Sequence, residues 1–204
     1  CVLETVFRLE GYTQSISEGR AAAIVPIKLL GTNGGGYYGV NSSHPLENPT
    51  YLSNMIECCS ILIIPMAMVF AFGFYVNRKR LGCSIYGVML VAFLIGVCIN
   101  VSQEMGGNPR IDAMGIAQDD GAMEGKEVRL GAGATGLWSV VTTVTSNGSV
   151  NGMHDSTMPL SGMIEMLNMQ INTWFGGVGV GWMNYFTFII IAVLISGLIV
   201  GLTP

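Results

Sequence analysis

Gly31-Thr32-Asn33-Gly34-Gly35-Gly36, with Asn41-Ser42-Ser43-His44 a few residues on, decides how the chain is read. A second stretch resembles it: Thr145-Ser146-Asn147-Gly148-Ser149-Val150, then Asn151-Gly152-Met153-His154. Both place Asn-Gly after Thr or Ser and then Asn-x-x-His, and these are the 2 histidines of the chain. Each follows a short apolar run, at residues 20–30 and 137–144. Neither run reaches the roughly 20 residues a helix needs to cross a bilayer. Pro26 in the first run fits the opening turn of a helix better than its interior. A short helix that enters a membrane and stops at a glycine-rich loop is a re-entrant pore helix. Irregular backbone at that depth is tolerated only where it lines a cavity or is buried in protein.

Composition places the chain in a membrane. It has 204 residues, 50% hydrophobic and 11% charged, against about 25% charged in soluble domains. Mean hydropathy is +0.54. The net charge of -4 excludes nucleic acid, which calls for a basic patch. The 5 cysteines have no C-x-x-C spacing, so they read as small buried apolar residues rather than a zinc site or disulfide frame. There is no Walker A segment, and His154-Asp155 has no evident nucleophile beside it, so no catalytic residue is expected. The chain starts at Cys1 without a signal peptide and stops at Pro204; it reads as the middle of a longer protein.

Three runs are long enough to span: residues 57–76 with Pro65 as a kink, 83–101, and 184–202. Between the first two lies Asn77-Arg78-Lys79-Arg80, holding three of the 9 basic residues. The positive-inside rule makes that turn cytoplasmic and puts both glycine-rich stretches toward the outer face. Residues 102–136 are the most polar and read as an acidic external loop, either concentrating cations or merely solvated. Met153, Met158, Met163, Met166 and Met169 are expected to pack. Residues 176–181 break the pattern with alternating glycines. The expected fold is an all-α membrane protein of repeated units, each a transmembrane helix, a re-entrant pore helix with its filter loop, and a transmembrane helix. Residues 1–19 are an exposed loop; residues 1–80 hold the latter part of one unit and 81–204 a complete one.

The residues suit a large monovalent cation. A desolvated cation must be offered oxygens in place of water, and backbone carbonyls do so without full charge. Aiming successive carbonyls at one axis needs backbone that glycine alone adopts freely, as at Gly34, Gly35, Gly36 and Gly148. Thr32, Ser146 and Ser149 can add hydroxyls; Asn33, Asn41, Asn147 and Asn151 can satisfy orphan backbone groups; His44 and His154 can brace. Both stretches lack a carboxylate ring, which points away from calcium.

The stretch running from Gly31 through His44-Pro45-Leu46-Glu47-Asn48-Pro49-Thr50 closely resembles a filter region of the potassium-binding subunits of the bacterial Kdp potassium-transporting ATPases. So do Glu124-Gly125-Lys126-Glu127-Val128-Arg129, the stretch from Ser146 to Ser156, Phe175-Gly176-Gly177-Val178-Gly179-Val180-Gly181, and Gly201-Leu202-Thr203-Pro204. The family has Phe-Phe-Asn where this chain has Tyr37-Tyr38-Gly39, and often Cys where it has Asn147. The resemblance implies four pore units around one pseudo-fourfold pore, with part of the second and all of the third present here. It implies a non-catalytic subunit of an ATP-driven uptake complex in the bacterial inner membrane, with a P-type ATPase subunit and small accessory subunits as partners. Potassium is then the transported ion, with Gly34, Gly148 and Asn41 at filter positions and a tunnel starting near 176–181. A stand-alone potassium channel or symporter of the same superfamily is the alternative. A third reading is a scaffold whose glycines serve only helix packing.

Overall fold

The structure is a computed structural model, described for residues 3–7, 11 and 13–202. Its membrane part is helical. Three helices have the length and composition to cross a bilayer: α2 (Tyr51–Tyr75), α3 (Lys79–Met105) and α7 (Val180–Leu202). Four shorter ones accompany them: α1 (Glu18–Leu30), α4 (Pro109–Asp112), α5 (Gly131–Val144) and α6 (Pro159–Ile171). The expected exposed loop at the start is instead a two-stranded antiparallel hairpin, Leu3–Phe7 paired with Thr13–Ser17, that runs into α1.

The element at the centre is α5, not one of the long helices. Its first half, Gly131-Ala132-Gly133-Ala134-Thr135-Gly136, is nearly all small, so neighbours come close. A Cβ at Gly136 would stand 3.4 Å from the Asn100 carbonyl of α3. Its second half supplies Trp138, Val140, Val141 and Val144, all at most 1% exposed. Around these pack Ile61 and Val69 of α2, Met89 and Phe93 of α3, Ile164 of α6 and Leu29 of α1. The longer helices turn their other faces outward: Ile63, Val88, Val91, Val193 and Leu198 are exposed, as suits lipid contact. At 14 residues, or about 21 Å, α5 falls short of the roughly 30 Å hydrocarbon layer.

Element ends have local causes. Thr50 caps α2, its hydroxyl accepting from Ser53 N at 3.1 Å while Ser53 Oγ accepts from Thr50 N at 3.0 Å. This reciprocal cap starts the helix six residues before the apolar run at 57. Asn172, left-handed at φ 47, ends α6. Pro26 lies inside α1 rather than in its first turn, because the helix begins at Glu18. The carbonyl it leaves without a donor is that of Ala22, and both residues are on the exposed face.

Two other expectations change. The external loop is shorter than 102–136: α3 continues to Met105 and α5 opens at Gly131. Glu104 is thus fully buried, not solvated. Cys58 is buried as expected, but Cys59, Cys83 and Cys98 are exposed on the outward helix faces; Cys1 lies outside the described residues. Met153, Met163, Met166 and Met169 are also exposed, at 52–65%, so the packing role given to them is not met by these helices.

Where α2 and α3 meet beside the basic turn, Gly73 and Gly82 touch. A Cβ on either would lie 2.9 Å from the other's Cα. Gly73→Val is expected to force the helices apart and cost about 1–3 kcal/mol, as overpacking does. A lower melting temperature of the purified protein in detergent checks this; an unchanged one means the helix pair can separate freely.

Candidate ion-selecting site

The two glycine-rich loops leave their helices in the same way. In the first, Thr32 N donates to Leu29 O at 3.1 Å and Asn33 N to Lys28 O at 3.3 Å. In the second, Ser146 N donates to Thr143 O at 3.5 Å and Asn147 N to Thr142 O at 2.9 Å. The left-handed backbone also falls at the same places: Thr32 (φ 46) and Gly34 (φ 71), Ser146 (φ 53) and Gly148 (φ 83). A β-branched residue at positive φ is an outlier, and Thr32 is held there from outside: its hydroxyl accepts from Val178 N at 2.7 Å. Left-handed residues two apart thus recur at matching places in the two loops.

The loops touch each other. A Cβ at Gly34 would lie 2.0 Å from the Asn147 carbonyl oxygen and 2.7 Å from the Gly148 carbonyl carbon, so only glycine fits. At Gly148 nothing lies within 4 Å of an added Cβ. Asn41 spans the junction: its Nδ2 donates to Gly34 O at 2.8 Å, and its Oδ1 accepts from Ser149 Oγ at 3.3 Å. Asn147 Oδ1 accepts from Ser149 N at 3.1 Å. Ser146 Oγ pairs with Asn172 Oδ1. Asn33 and Gly35 are exposed and joined only by a 3.5 Å bond from Gly35 N to Asn33 Oδ1. Trp138, 0% exposed, donates its indole N–H to Ser149 O at 2.8 Å. The glycine break at 176–181 sits against both loops: a Cβ at Gly177 would be 2.0 Å from Thr145 O and 3.2 Å from Thr32 Oγ1.

Much of the support was not foreseen. Asn54 of α2, 0% exposed, accepts through Oδ1 from Asn48 Nδ2 at 3.0 Å and from Asn151 Nδ2 at 2.9 Å, tying both loop regions to one helix. Arg129 reaches Ser43 O and Asn48 O from the polar segment before α5. Lys126 pairs with Glu104 at 2.8 Å, both side chains at 0% exposure, and Glu104 also accepts from Met158 N at 2.8 Å at the start of α6. Lys28 is 1% exposed and donates to Asn41 Oδ1 and Ser42 Oγ at 2.6 Å each and to Glu47. Charged residues in an apolar chain read as exposed; these are buried because each meets an opposite charge or backbone group.

The histidines diverge. His44 braces as expected: Nδ1 accepts from Leu46 N at 3.1 Å and its ring stacks on Tyr38 with centroids 4.0 Å apart. His154 Nε2 has no hydrogen-bond partner among the described residues. Burial pushes its pKa down, which keeps the ring neutral. His154 and Glu165 line a cavity of about 500 Å³ beside Thr142, Gly148, Val150 and Met166. Burial pushes the Glu165 carboxyl up to about 7, and the charge of Glu104 adds to the rise, against hydrogen bonds from Ser139 and Thr157 that favour its ionised form. The raised value disfavours the folded state as pH climbs. Stability is therefore expected to fall from about pH 4.5 toward 7 and level off above it. Glu165→Gln is expected to flatten that fall and to melt higher than the parent at pH 8 but not at pH 4. Equal melting profiles would mean that the carboxylate is solvated.

Residues 3–204 match the family of KdpA, the potassium-transporting ATPase A subunit. The chain is 82% identical over 98% of its length to the potassium-transporting ATPase potassium-binding subunit of Phocaeicola vulgatus, covering 35% of that protein. It is 83% identical to the subunit of the same name from Bacteroides thetaiotaomicron and 57% identical to that from Flavobacterium psychrophilum, again with 98% and 35% covered. The chain thus spans about a third of the length of these curated relatives. With its helical membrane fold and paired glycine loops, this chain belongs to the potassium-transporting ATPase A subunit family.

Proposed function

We propose that the chain is the part of a potassium-binding subunit that carries two of its ion-selecting loops. Carbonyls of residues 32–35 and 146–149 replace the water of a potassium ion, and the ion then passes to a P-type ATPase subunit that spends ATP on its transport. The single observation that carries this is the shared backbone of the two loops: the same bond back to the helix carbonyl, and left-handed residues at Thr32 and Gly34 as at Ser146 and Gly148. Glycines placed for helix packing alone, as at Gly73 and Gly82, need no such repeated conformation.

The remaining expectations belong to the same proposal. Residues 1–80 end one pore unit and 81–204 form the next. The Arg78-Lys79-Arg80 turn lies on the cytoplasmic side of the inner membrane and the loops open outward. Small accessory subunits complete the complex. Thr32 and Asn41 act mainly as supports, since the Thr32 hydroxyl and both polar ends of the Asn41 side chain are engaged by protein.

Gly148→Ala in the full-length protein within its complex is the test. Its Cβ meets nothing, so its strain is the cost of a left-handed alanine, about 1–2 kcal/mol. The protein is expected to assemble, with half-saturating potassium for ATP hydrolysis raised about tenfold, the equivalent of 1.4 kcal/mol, and with weaker discrimination against rubidium and sodium. Unchanged affinity and discrimination would remove the second loop from the ion path. A full-length protein that transports potassium without any ATPase would favour the stand-alone channel or symporter.

A further inference from the structure

We propose that Lys28 is a positioning residue for ion discrimination, a tethered cation behind the first loop that fixes the Gly34 carbonyl through Asn41. This rests on the reading of residues 32–35 as an ion-selecting loop. The chain of bonds is continuous. The Lys28 ammonium donates to Asn41 Oδ1 at 2.6 Å, and Asn41 Nδ2 donates to Gly34 O at 2.8 Å. Holding the Asn41 oxygen on the ammonium settles which end of the amide faces Gly34. A carbonyl oxygen has two lone pairs; one is taken by Asn41, and the other keeps a fixed direction.

The ammonium sits in an oxygen cage of its own. Besides Asn41 it holds Ser42 Oγ at 2.6 Å and the Glu47 carboxylate. Glu47 Oε1 also accepts from Tyr38 N at 2.7 Å, so the same ion pair anchors the backbone that follows the glycines. Ser42 Oγ donates to Glu57 Oε2 at 2.8 Å, placing a second carboxylate behind the first. The lysine is therefore not a surface charge folded inward. It takes the position that a second bound cation would otherwise occupy behind the loop.

The second loop has no such device. Thr142 stands where Lys28 stands, its carbonyl receiving the same bond from the following Asn. Its hydroxyl has no partner among the described residues. The two loops thus share a backbone but differ in how a backbone carbonyl is held: Gly34 O is held through Asn41 by a fixed positive charge, whereas Ser149 O is held by the neutral indole of Trp138, and the cage meets the second loop only at the Ser149 hydroxyl. A pinned carbonyl resists closing around a smaller ion or opening for a larger one, so the Gly34 carbonyl is assigned a part in discrimination.

The test uses the full-length protein in its ATPase complex with two variants. The double variant Lys28→Met/Glu47→Gln removes both charges of the ion pair and leaves Glu57 with its bond from Ser42. Asn41→Asp keeps a partner for the ammonium but cannot donate to Gly34. Potassium, rubidium and sodium are titrated against ATP hydrolysis and, independently, against the melting temperature of the purified complex. Both variants are expected to lower the preference for potassium over rubidium at least threefold in both assays. If both assemble and discriminate like the parent while Gly148→Ala does not, Lys28 is only structural and the proposal falls. If Gly148→Ala is also parent-like, the ion-selecting reading itself is what fails. If neither variant assembles, the cage serves folding and the positioning role is rejected.

Discussion

A backbone amide or carbonyl without a partner in hydrocarbon costs several kcal/mol, and the two loops at 31–36 and 145–150 give up helical bonding at the depth of the helices that surround them. The fold is arranged around meeting that demand. The last carbonyls of α1 and α5 are taken by the loops' own amides. Trp138 takes Ser149 O, Asn41 takes Gly34 O, and Asn54 binds the asparagines flanking each loop. The partner groups come from α2, α5 and the segments after each loop, so the loops cannot form unless those elements are in place. This is why the most buried helix is also too short to cross a membrane: α5 delivers a loop.

The polar segment between α3 and α5 takes part in the same arrangement. Its charges look like a solvated acidic loop, yet Lys126 goes down to Glu104 and Arg129 across to Ser43 and Asn48. One residue ties the segment to the start of α6, through Glu104 and Met158 N, and another ties it to the region after the first loop. A buried ion pair of this kind adds little net stability, since desolvation offsets attraction. What it adds is register: an Arg or Lys in a fixed place aligns two loops that are distant in sequence.

The sequence carried the architecture well because its signals were of the kind that survive tertiary context. Apolar runs near 20 residues became α2, α3 and α7, and shorter ones became α1 and α5. The paired Asn-Gly motifs became loops of the same backbone. Boundaries were less legible. The α2 start depended on Thr50 and Ser53, a reciprocal cap in a polar stretch, and Pro26 was drawn inside a helix because its cost falls on an exposed carbonyl. The supports of the site were least legible. Lys28, Glu47, Asn54, Glu104 and Arg129 are scattered polar residues, buried or half-buried through partners up to 97 positions away. The signal available was position: Lys28 lies on an apolar helix one turn from the loop, where an unpaired lysine would be costly.

Two loops with one backbone need not be equal binding surfaces. Ion preference depends on where oxygens stand and how far they move when the ion changes size. Where they stand is set by the alternation of Thr32 and Gly34, Ser146 and Gly148. How far they move is set by what lies behind. Gly34 is wedged against Asn147 with no room for a methyl group, whereas Gly148 has open space beside it. The Gly34 carbonyl is thus held between the second loop and the Lys28 cage, whereas Ser149 of the second loop is held by Trp138 and, through Asn41, by the same cage. In the proposed reading, a pore built from repeats keeps its geometry in the repeated backbone and places its differences in the residues that hold it.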